Sequence, residues 1–190
     1  MGRTSAVPID PVFLRRWSPR AMSGVPLSAE TMQTLFEAAR WAPSASNKQP
    51  WRFVYGLLGT PHFTPLFDLL AEGNREWCVR AGALVVVWSN TVDEKGRPME
   101  TASLTTGAAL MGLLLQATML GLVAHPMGGF DQEKAKATIA LPEHGRIECM
   151  LALGHPGRLE DLSEKTRARE FPSDRSPTSS FTWEGKVSAT

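Results

Sequence analysis

The chain has 190 residues, 43% of them hydrophobic and 21% charged, and a formal net charge of +1. This length fits one domain with a buried core, and the near-neutral charge gives no reason to expect nucleic acid or an anionic membrane as a partner. The two cysteines have no metal-binding or redox spacing, and Met1 to Arg16 contains no apolar stretch of signal-peptide length, so we expect a cytoplasmic protein.

The first segment predicts a short helix followed by a cluster of arginines. Asp10 is a suitable N-cap for a helix that begins at Pro11 and ends before Ser18-Pro19, because proline disfavours helical geometry in the residue before it. The arginines around this helix end are Arg15, Arg16 and Arg20. They form either a solvated basic surface or a phosphate site, in which guanidinium groups and a serine hydroxyl contact phosphate oxygens.

A second helix and a strand follow, joined by a polar loop. Ser28 can cap the helix, and Pro43 ends it; its apolar face comprises Met32, Leu35, Phe36 and Ala39. Residues 51–55, with the sequence WRFVY, predict a strand. The loop between them, WAPSASNKQPW at 41–51, is rich in hydrogen-bonding side chains. Loops on a rigid scaffold often carry function, although this composition alone also fits an ordinary connection.

The middle of the chain predicts elements of the core. Pro65 to Leu70 favours a helix closed by Gly73, and Ala83 to Trp88 favours a strand covered on both faces. A long apolar helix is predicted from about Thr101 to Leu120, in a stretch of 30 residues (101–130) without Asp, Glu, Lys or Arg. Threonine, glycine and glutamine interrupt its apolar run, and no basic cluster flanks it. We therefore expect a helix buried in a core or an interface rather than a membrane span.

The last third combines a glycine pair, a helix, a strand and a polar tail. Gly128-Gly129 is either a flexible connection or a place where backbone N–H groups approach a flat ligand without Cβ interference. A helix over about Gln132 to Ile139 and a half-buried strand over Ile147 to Leu153 follow. We expect residues 1–160 to form a single domain and residues 161–190 to form a tail that is disordered or wraps a partner subunit.

Familiar catalytic motifs are absent from the sequence. It contains no G-x-S-x-G elbow, no G-x-x-x-x-G-K-[ST] phosphate loop and no G-x-G-x-x-G after a strand. Its four histidines are scattered, with no pair at zinc spacing, so we predict neither a metal site nor a catalytic side chain. Binding features without an acid–base residue suit a cofactor that brings its own reactivity, while the protein supplies position and electrostatics.

Three stretches resemble the nitroreductase-like FMN flavoproteins. The loop at 41–51 fits the pattern A-P-S-x-S/T-N-x-Q-P-W, RWSPR at 16–20 is similar to the family's R-x-S-x-R/K element, and PMGGFD at 126–131 is similar to its P-x-E-G-F-D run. The similarity covers nearly the whole chain and weakens after residue 160. It implies an α+β fold with a mainly antiparallel central sheet flanked by helices. It also implies a homodimer that holds FMN between its subunits, with the helix at 101–120 in the core and the interface.

The resemblance further implies a set of cofactor-binding residues. Phosphate contacts are implied for Arg16, Ser18 and Arg175. Contacts to the ribityl or pyrimidine side are implied for Arg20 and Asn74. The loop that a partner subunit lays against the flavin comprises Pro43, Ser44, Ala45 and Asn47. The run whose backbone amides face flavin N5 and O4 comprises Pro126, Met127, Gly128 and Gly129.

Two departures from the family pattern leave the substrate class open. Gly128 replaces an acidic residue common in some branches, and Trp77 stands near the place where some members carry a lysine beside the flavin. The implied activity has two steps: NADH or NADPH delivers hydride to the flavin, and an oxidised acceptor such as a nitroaromatic or a quinone then takes the electrons. The alternatives are an FMN carrier or sensor without nitroreductase turnover, and a non-enzymatic dimeric scaffold.

Overall fold

A sheet of four antiparallel strands forms the centre of the computed structural model, which describes residues 3–187. The strands are β1 (Trp51–Leu57), β2 (Ala83–Asn90), β3 (Val123–Met127) and β4 (Gly145–Gly154), in the order β1-β2-β4-β3. Val85 to Val87 of β2 and Leu151 to Leu153 of β4 are fully buried, because helices or loops cover both faces of the two central strands. The predicted α+β fold with an antiparallel central sheet is confirmed.

Seven α-helices surround the sheet within residues 3–187. They are α1 (Pro11–Arg15), α2 (Ala29–Arg40), α3 (Phe63–Phe67), α4 (Glu72–Cys78), α5 (Ala102–Met119), α6 (Gln132–Thr138) and α7 (Glu164–Arg167). The two predicted N-caps are confirmed: the Asp10 carboxylate accepts a hydrogen bond from Val12 N at 2.8 Å, and the Ser28 hydroxyl accepts one from Thr31 N at 3.1 Å. Each cap satisfies a backbone donor that the helix itself leaves free.

Two hydrophobic cores lie on opposite faces of the sheet. On one face α2 and α5 pack together and bury Leu35 and Leu113 against Val85. On the other face α3 and α4 bury Leu66 and Trp77. This arrangement leaves the loop ends of the sheet free to carry a site.

Helix α5 is a core element on one side only. By length and composition it could cross a membrane, with a mean hydropathy of 1.3, and 33% of it is buried within this chain. Its uncovered side carries apolar residues at helical spacing: Leu104, Ala108, Met111, Leu115 and Met119. We call this set the α5 stripe. Leu104 is 75% exposed and Met119 is 58% exposed, whereas Ala108, Met111 and Leu115 are half-buried, so the stripe is an apolar surface exposed mainly at its two ends.

The prediction of one helix from Pro65 to Leu70, closed by Gly73, is wrong. Helix α3 ends at Phe67, and Leu70 instead forms a β-bridge with Phe130. Backbone hydrogen bonds on both sides of this bridge hold the chain extended: Ala71 N donates to Gly129 O at 3.0 Å, and Asp131 N donates to Leu69 O at 2.8 Å. Gly73 lies inside α4, which the sequence analysis did not predict. Tertiary pairing has therefore overridden the local preference for helix.

Strand β3 is the second difference from the predicted elements. The sequence analysis predicted no strand at residues 123–127. In the structure β3 is an edge strand paired only with β4, and at an edge the missing N–H of proline needs no partner.

The segment after β4 packs first on its own chain and then becomes exposed. Leu162 is 6% exposed and Thr166 is 1% exposed, so α7 and the turn before it cover part of the core. Beyond it, Phe171 and Phe181 are 63% and 57% exposed. The path of this tail over a partner subunit stays a prediction.

Candidate functional site

A cavity of about 340 Å³ brings together residues from the two ends of the chain. Among the predicted residues, its lining contains Arg16, Ser18, Arg20 and Arg175. It also contains two further arginines that the sequence analysis did not select, Arg3 and Arg169. We call it the arginine cavity. Local sequence gives no signal for Arg3 or Arg169, because both join the cavity through long-range contacts. Arg3 contacts Ser173, 170 positions later, and Arg169 contacts Arg20, about 150 positions earlier.

Among the described residues, four arginines of this cavity have no close carboxylate counter-ion: Arg3, Arg16, Arg169 and Arg175. Arg16 follows the last turn of α1 in an extended conformation, with φ −67° and ψ 115°. Burial lowers the pKa of Arg16, and the positive charges of Arg3 and Arg175 lower it further. Within residues 3–187, no Asp or Glu oxygen lies within 4.0 Å of the guanidinium nitrogens of Arg3, Arg16 or Arg175. Such a donor set suits a ligand with several anionic oxygens, such as a phosphate group.

Arg20 lines the same cavity but, unlike the arginines above, lies close to a carboxylate. Its Nη1 lies 3.5 Å from Glu170 Oε2, and Glu170 Oε1 accepts hydrogen bonds from the backbone N–H groups of Arg20 (2.6 Å) and Ala21 (2.9 Å). The Glu170 side chain is 1% exposed. Glu170 therefore fixes the chain around Arg20 and partly neutralises its charge. The contact of Arg20 with the ribityl or pyrimidine side of a flavin stays a prediction.

His125 connects the arginine cavity to α4. Its Nδ1–H donates to Pro19 O at 3.0 Å, and its ring lies 4.7 Å from the Trp77 ring. Burial lowers the pKa of His125, so the imidazole is neutral at physiological pH. Trp77, at the position where the family resemblance suggested a possible lysine, thus contributes packing rather than charge. The position of His125 just before the PMGGFD run is the signal that could have drawn attention to it.

Asn74 and Gly129 contact each other and do not line the arginine cavity. Asn74 Nδ2 donates to Gly129 O at 2.9 Å, which joins α4 to the loop after β3. The Met127 side chain is buried and its sulfur lies 3.9 Å from Cys78 Sγ, so only the backbone of Met127 can face a ligand. Trp77, in the same helix as Asn74, contacts His125 of the cavity lining, and this contact links the two groups of residues.

A side chain at position 129 would displace the Asn74 amide, whereas one at position 128 would meet no described atom. A Cβ on Gly129 would lie 2.7 Å from Asn74 Nδ2, whereas a Cβ on Gly128 would have no atom within 4 Å among the described residues. We expect Gly129→Ala to break the Asn74 hydrogen bond and lower the free energy of unfolding by about 1 kcal/mol. Thermal denaturation is the measurement, and Gly128→Ala is the matched control. Equal melting temperatures for the two variants would contradict the contact.

The predicted loop residues Pro43, Ser44, Ala45 and Asn47 do not reach the arginine cavity within one chain. Ser44 and Ala45 instead line a separate cavity of about 410 Å³ with Asp93 and Thr101. This loop is conformationally unusual, since three non-glycine residues have left-handed φ angles: Ser46 (50°), Asn47 (54°) and Gln49 (49°). Such angles persist only where surrounding contacts impose them, and they concentrate at functional sites.

Two contacts hold this loop. The Ser44 hydroxyl accepts a hydrogen bond from Gln49 N at 3.0 Å, and Lys48 Nζ lies 3.4 Å from Asp93 Oδ2. Asp93 is 4% exposed at its side chain and also accepts hydrogen bonds from the Arg97 guanidinium at 2.6 and 2.8 Å. Asp93 therefore ties the loop to the hairpin that precedes α5.

We expect Asp93→Asn to loosen this loop, seen as faster proteolytic cleavage within residues 43–49. Hydrogen bonds from Arg97 hold the pKa of Asp93 well below its usual range. A lowered pKa means that the Asp93 contribution to stability is fully present above the unfolded-state pKa of about 3.9 and declines at more acidic pH. The difference between variant and wild type should thus persist at neutral pH and shrink in acid. Glu94→Gln, at the exposed neighbouring carboxylate, should behave like wild type.

Comparisons with known proteins identify relatives of this chain. The model of the Nitroreductase family matches residues 14–55 and 63–155. A solved structure described as an oxidoreductase containing FMN is 38% identical, has a TM-score of 0.95 and aligns with 99% of this chain and 97% of its own. A Thermus thermophilus protein described as NADH dehydrogenase is 27% identical over 175 residues, covering 75% of this chain and 84% of that protein. A nitroreductase family protein from Streptococcus pneumoniae, 20% identical with a TM-score of 0.73, covers 91% of this chain and 98% of its own and shares the fold.

Proposed function

This chain belongs to the nitroreductase family, and from that premise we propose that it is an FMN-dependent oxidoreductase that takes hydride from NADH or NADPH and reduces a nitroaromatic, a quinone or a similar acceptor. The observation that carries the proposal is the arginine cavity, where Arg3, Arg16 and Arg175 have no close counter-ion among the described residues. The solved FMN-containing oxidoreductase that is 38% identical supports the choice of cofactor.

The residues of the cavity fit the phosphate of FMN. Arg16 and Arg175 would bind phosphate oxygens through their guanidinium groups, and the Ser18 hydroxyl would donate a further hydrogen bond. A phosphate monoester carries close to two negative charges at neutral pH, which balances a cluster of uncompensated cations. When bound, FMN would supply the hydride and electron chemistry. The protein itself would need only to bind the cofactor, orient it and shield it from solvent.

Asn74 and the glycine pair Gly128-Gly129 fit the ring edge of the cofactor. Asn74 offers an amide beside Gly129, and Gly128 and Gly129 offer backbone N–H groups without side chains in front of them. Arg20, which also lines the cavity, would add partly neutralised positive charge on the ribityl or pyrimidine side of the cofactor. Fixed donors of this kind stabilise negative charge that develops on a bound group.

We place the complete site in a homodimer. The α5 stripe is an exposed apolar surface, which marks an interface more often than a free surface. The loop of Pro43, Ser44, Ala45 and Asn47 lies at a different cavity of its own chain, so its contact with flavin requires a second copy. Two equivalent sites would then form, each with the arginine cavity of one subunit and the loop of the other. A cytoplasmic location fits the two free cysteines.

An absorption spectrum followed by anaerobic stopped-flow mixing tests the function. The purified protein, or the protein reconstituted with FMN, should show the two visible bands of bound flavin, and NADH or NADPH should bleach them. Adding a nitroaromatic or a quinone should restore the bands. Bound flavin that neither nucleotide bleaches would indicate an FMN carrier or sensor. A colourless protein that takes up no FMN would indicate a dimeric scaffold and overturn the proposal.

A further inference from the structure

Arg3 joins the two chain segments that form the arginine cavity. Its Nη1 donates to the backbone carbonyl of Arg16 at 2.7 Å, and its Nε donates to the backbone carbonyl of Ser173 at 3.0 Å. Ser173 lies two residues before Arg175. One guanidinium group therefore spans 170 positions of sequence and fixes the backbone beside both arginines that the proposed function assigns to phosphate.

The charge of Arg3 adds to the same cavity. Burial lowers the pKa of Arg3, nearby Arg175 lowers it further, and Asp174, farther than ion-pair distance, opposes these effects in part. The like charges of Arg3, Arg16 and Arg175 repel each other, and two backbone carbonyls offset only part of that repulsion for Arg3. An anion bound among the three guanidinium groups removes the remainder. The cluster is thus most favourable when a dianionic group is present.

We propose that Arg3 is a positioning residue of the phosphate site, which links the Arg16 segment to the Ser173–Arg175 segment and supplies a third positive charge to the phosphate of FMN. This proposal rests on the proposed function, because it requires FMN as the ligand. Arginine suits the task better than lysine, since its planar fork donates from two fixed nitrogens to two separate carbonyls.

Binding of FMN and of riboflavin to the apoprotein separates this role from general folding. Riboflavin has the same ring and ribityl chain but lacks the phosphate. We expect Arg3→Ala to weaken FMN binding by about tenfold or more, as for loss of a charge-assisted contact, and to change riboflavin binding by less than about twofold. Fluorescence titration of each flavin gives both affinities, and circular dichroism confirms that the variants are folded. Arg158→Ala is the control, because Arg158 is 79% exposed, pairs with Asp161 and does not line the cavity.

Two further variants test how Arg3 acts. Arg3→Lys keeps the positive charge but loses the planar guanidinium group that donates to two carbonyls. It should therefore retain only part of the FMN affinity that Arg3→Ala loses, and wild-type affinity in Arg3→Lys would overturn the linking role. Because Arg3 holds the Arg16 backbone, Arg3→Ala should lower FMN affinity less in an Arg16→Ala background than in the wild type. Additive losses would contradict that coupling.

The outcomes for Arg3 and for the proposed function are distinguishable. If the wild type binds FMN tightly and Arg3→Ala binds it equally well, the role of Arg3 is wrong and the proposed function stands. An equal loss of FMN and riboflavin in Arg3→Ala would assign Arg3 to folding rather than to phosphate. A wild-type protein that binds no FMN overturns both.

Discussion

Replacing Arg16 with alanine should weaken FMN binding by about ten- to a hundredfold. A hydrogen-bonded contact to a charged group contributes about 1.5–3 kcal/mol, and each 1.4 kcal/mol corresponds to a factor of ten. Arg16 lies in the arginine cavity, away from Asn74 and Gly129, so turnover per bound flavin should change much less than flavin retention. The two quantities are measured by fluorescence titration of the apoprotein and by single-turnover reduction of the fraction that holds flavin.

Arg15 provides a matched control for Arg16. The two arginines are adjacent in sequence, yet Arg15 is exposed and does not line the cavity. Arg15→Ala should therefore bind FMN like the wild type, and Arg175→Ala should resemble Arg16→Ala. Wild-type affinity in Arg16→Ala, or equal losses in both Arg15 and Arg16 variants, would show that the phosphate assignment is wrong.

In the proposed homodimer, introducing charge into the α5 stripe should produce a monomer that has lost its flavin. Leu104 and Met119 are both more than half exposed in the single chain, so Leu104→Glu with Met119→Glu should leave the folded subunit intact. In a dimer the same two carboxylates would be buried without partners, which is strongly unfavourable. Because each site would need the loop at 43–47 from the other subunit, FMN should dissociate together with the dimer.

The oligomeric state is measured by light scattering after size-exclusion chromatography. The flavin content is measured by the ratio of visible to ultraviolet absorbance. Leu159→Glu is the control: Leu159 is 48% exposed but lies in the turn before α7, outside the stripe. A charged stripe that leaves a dimer with full flavin would place the interface elsewhere. A monomer that keeps full flavin would contradict the role of the partner's loop.

Elements governed by local signals were predictable from the sequence. Asp10 and Ser28 cap their helices as their positions suggested, and the unbroken apolar run of β2 marked a strand covered on both faces. The helix predicted up to Leu70 failed because Leu70 pairs with Phe130, 60 positions later. An edge strand containing Pro126 was missed for a similar reason, since pairing with β4 rather than its own sequence defines it.

The same distinction applies to the candidate site: residues in sequence motifs could be predicted, whereas those defined by long-range contacts could not. Arg16, Ser18 and Arg175, for which the family resemblance implied phosphate contacts, line one cavity. Arg20, for which it implied contacts to the ribityl or pyrimidine side, lines the same cavity, and all four contacts with FMN stay predictions. Asn74 lies beside Gly129, but the sequence did not indicate that the two are joined by a hydrogen bond. Arg3 and Glu170 could not have been selected, because each depends on a contact across 150 positions or more. The loop at 43–47 reaches its proposed partner only through assembly, which one sequence does not display.

The hydrogen bond from Arg3 to Ser173 also bears on the order of events during synthesis on the ribosome. Segments separated by almost the full length of the chain must meet before the cavity exists, and contacts of such large sequence separation close late in folding. The arginine cavity is therefore incomplete until the segment around Ser173 has been synthesised and has joined the fold. On the proposed function, uptake of FMN should follow that contact, and bound FMN should then stabilise the folded state by mass action.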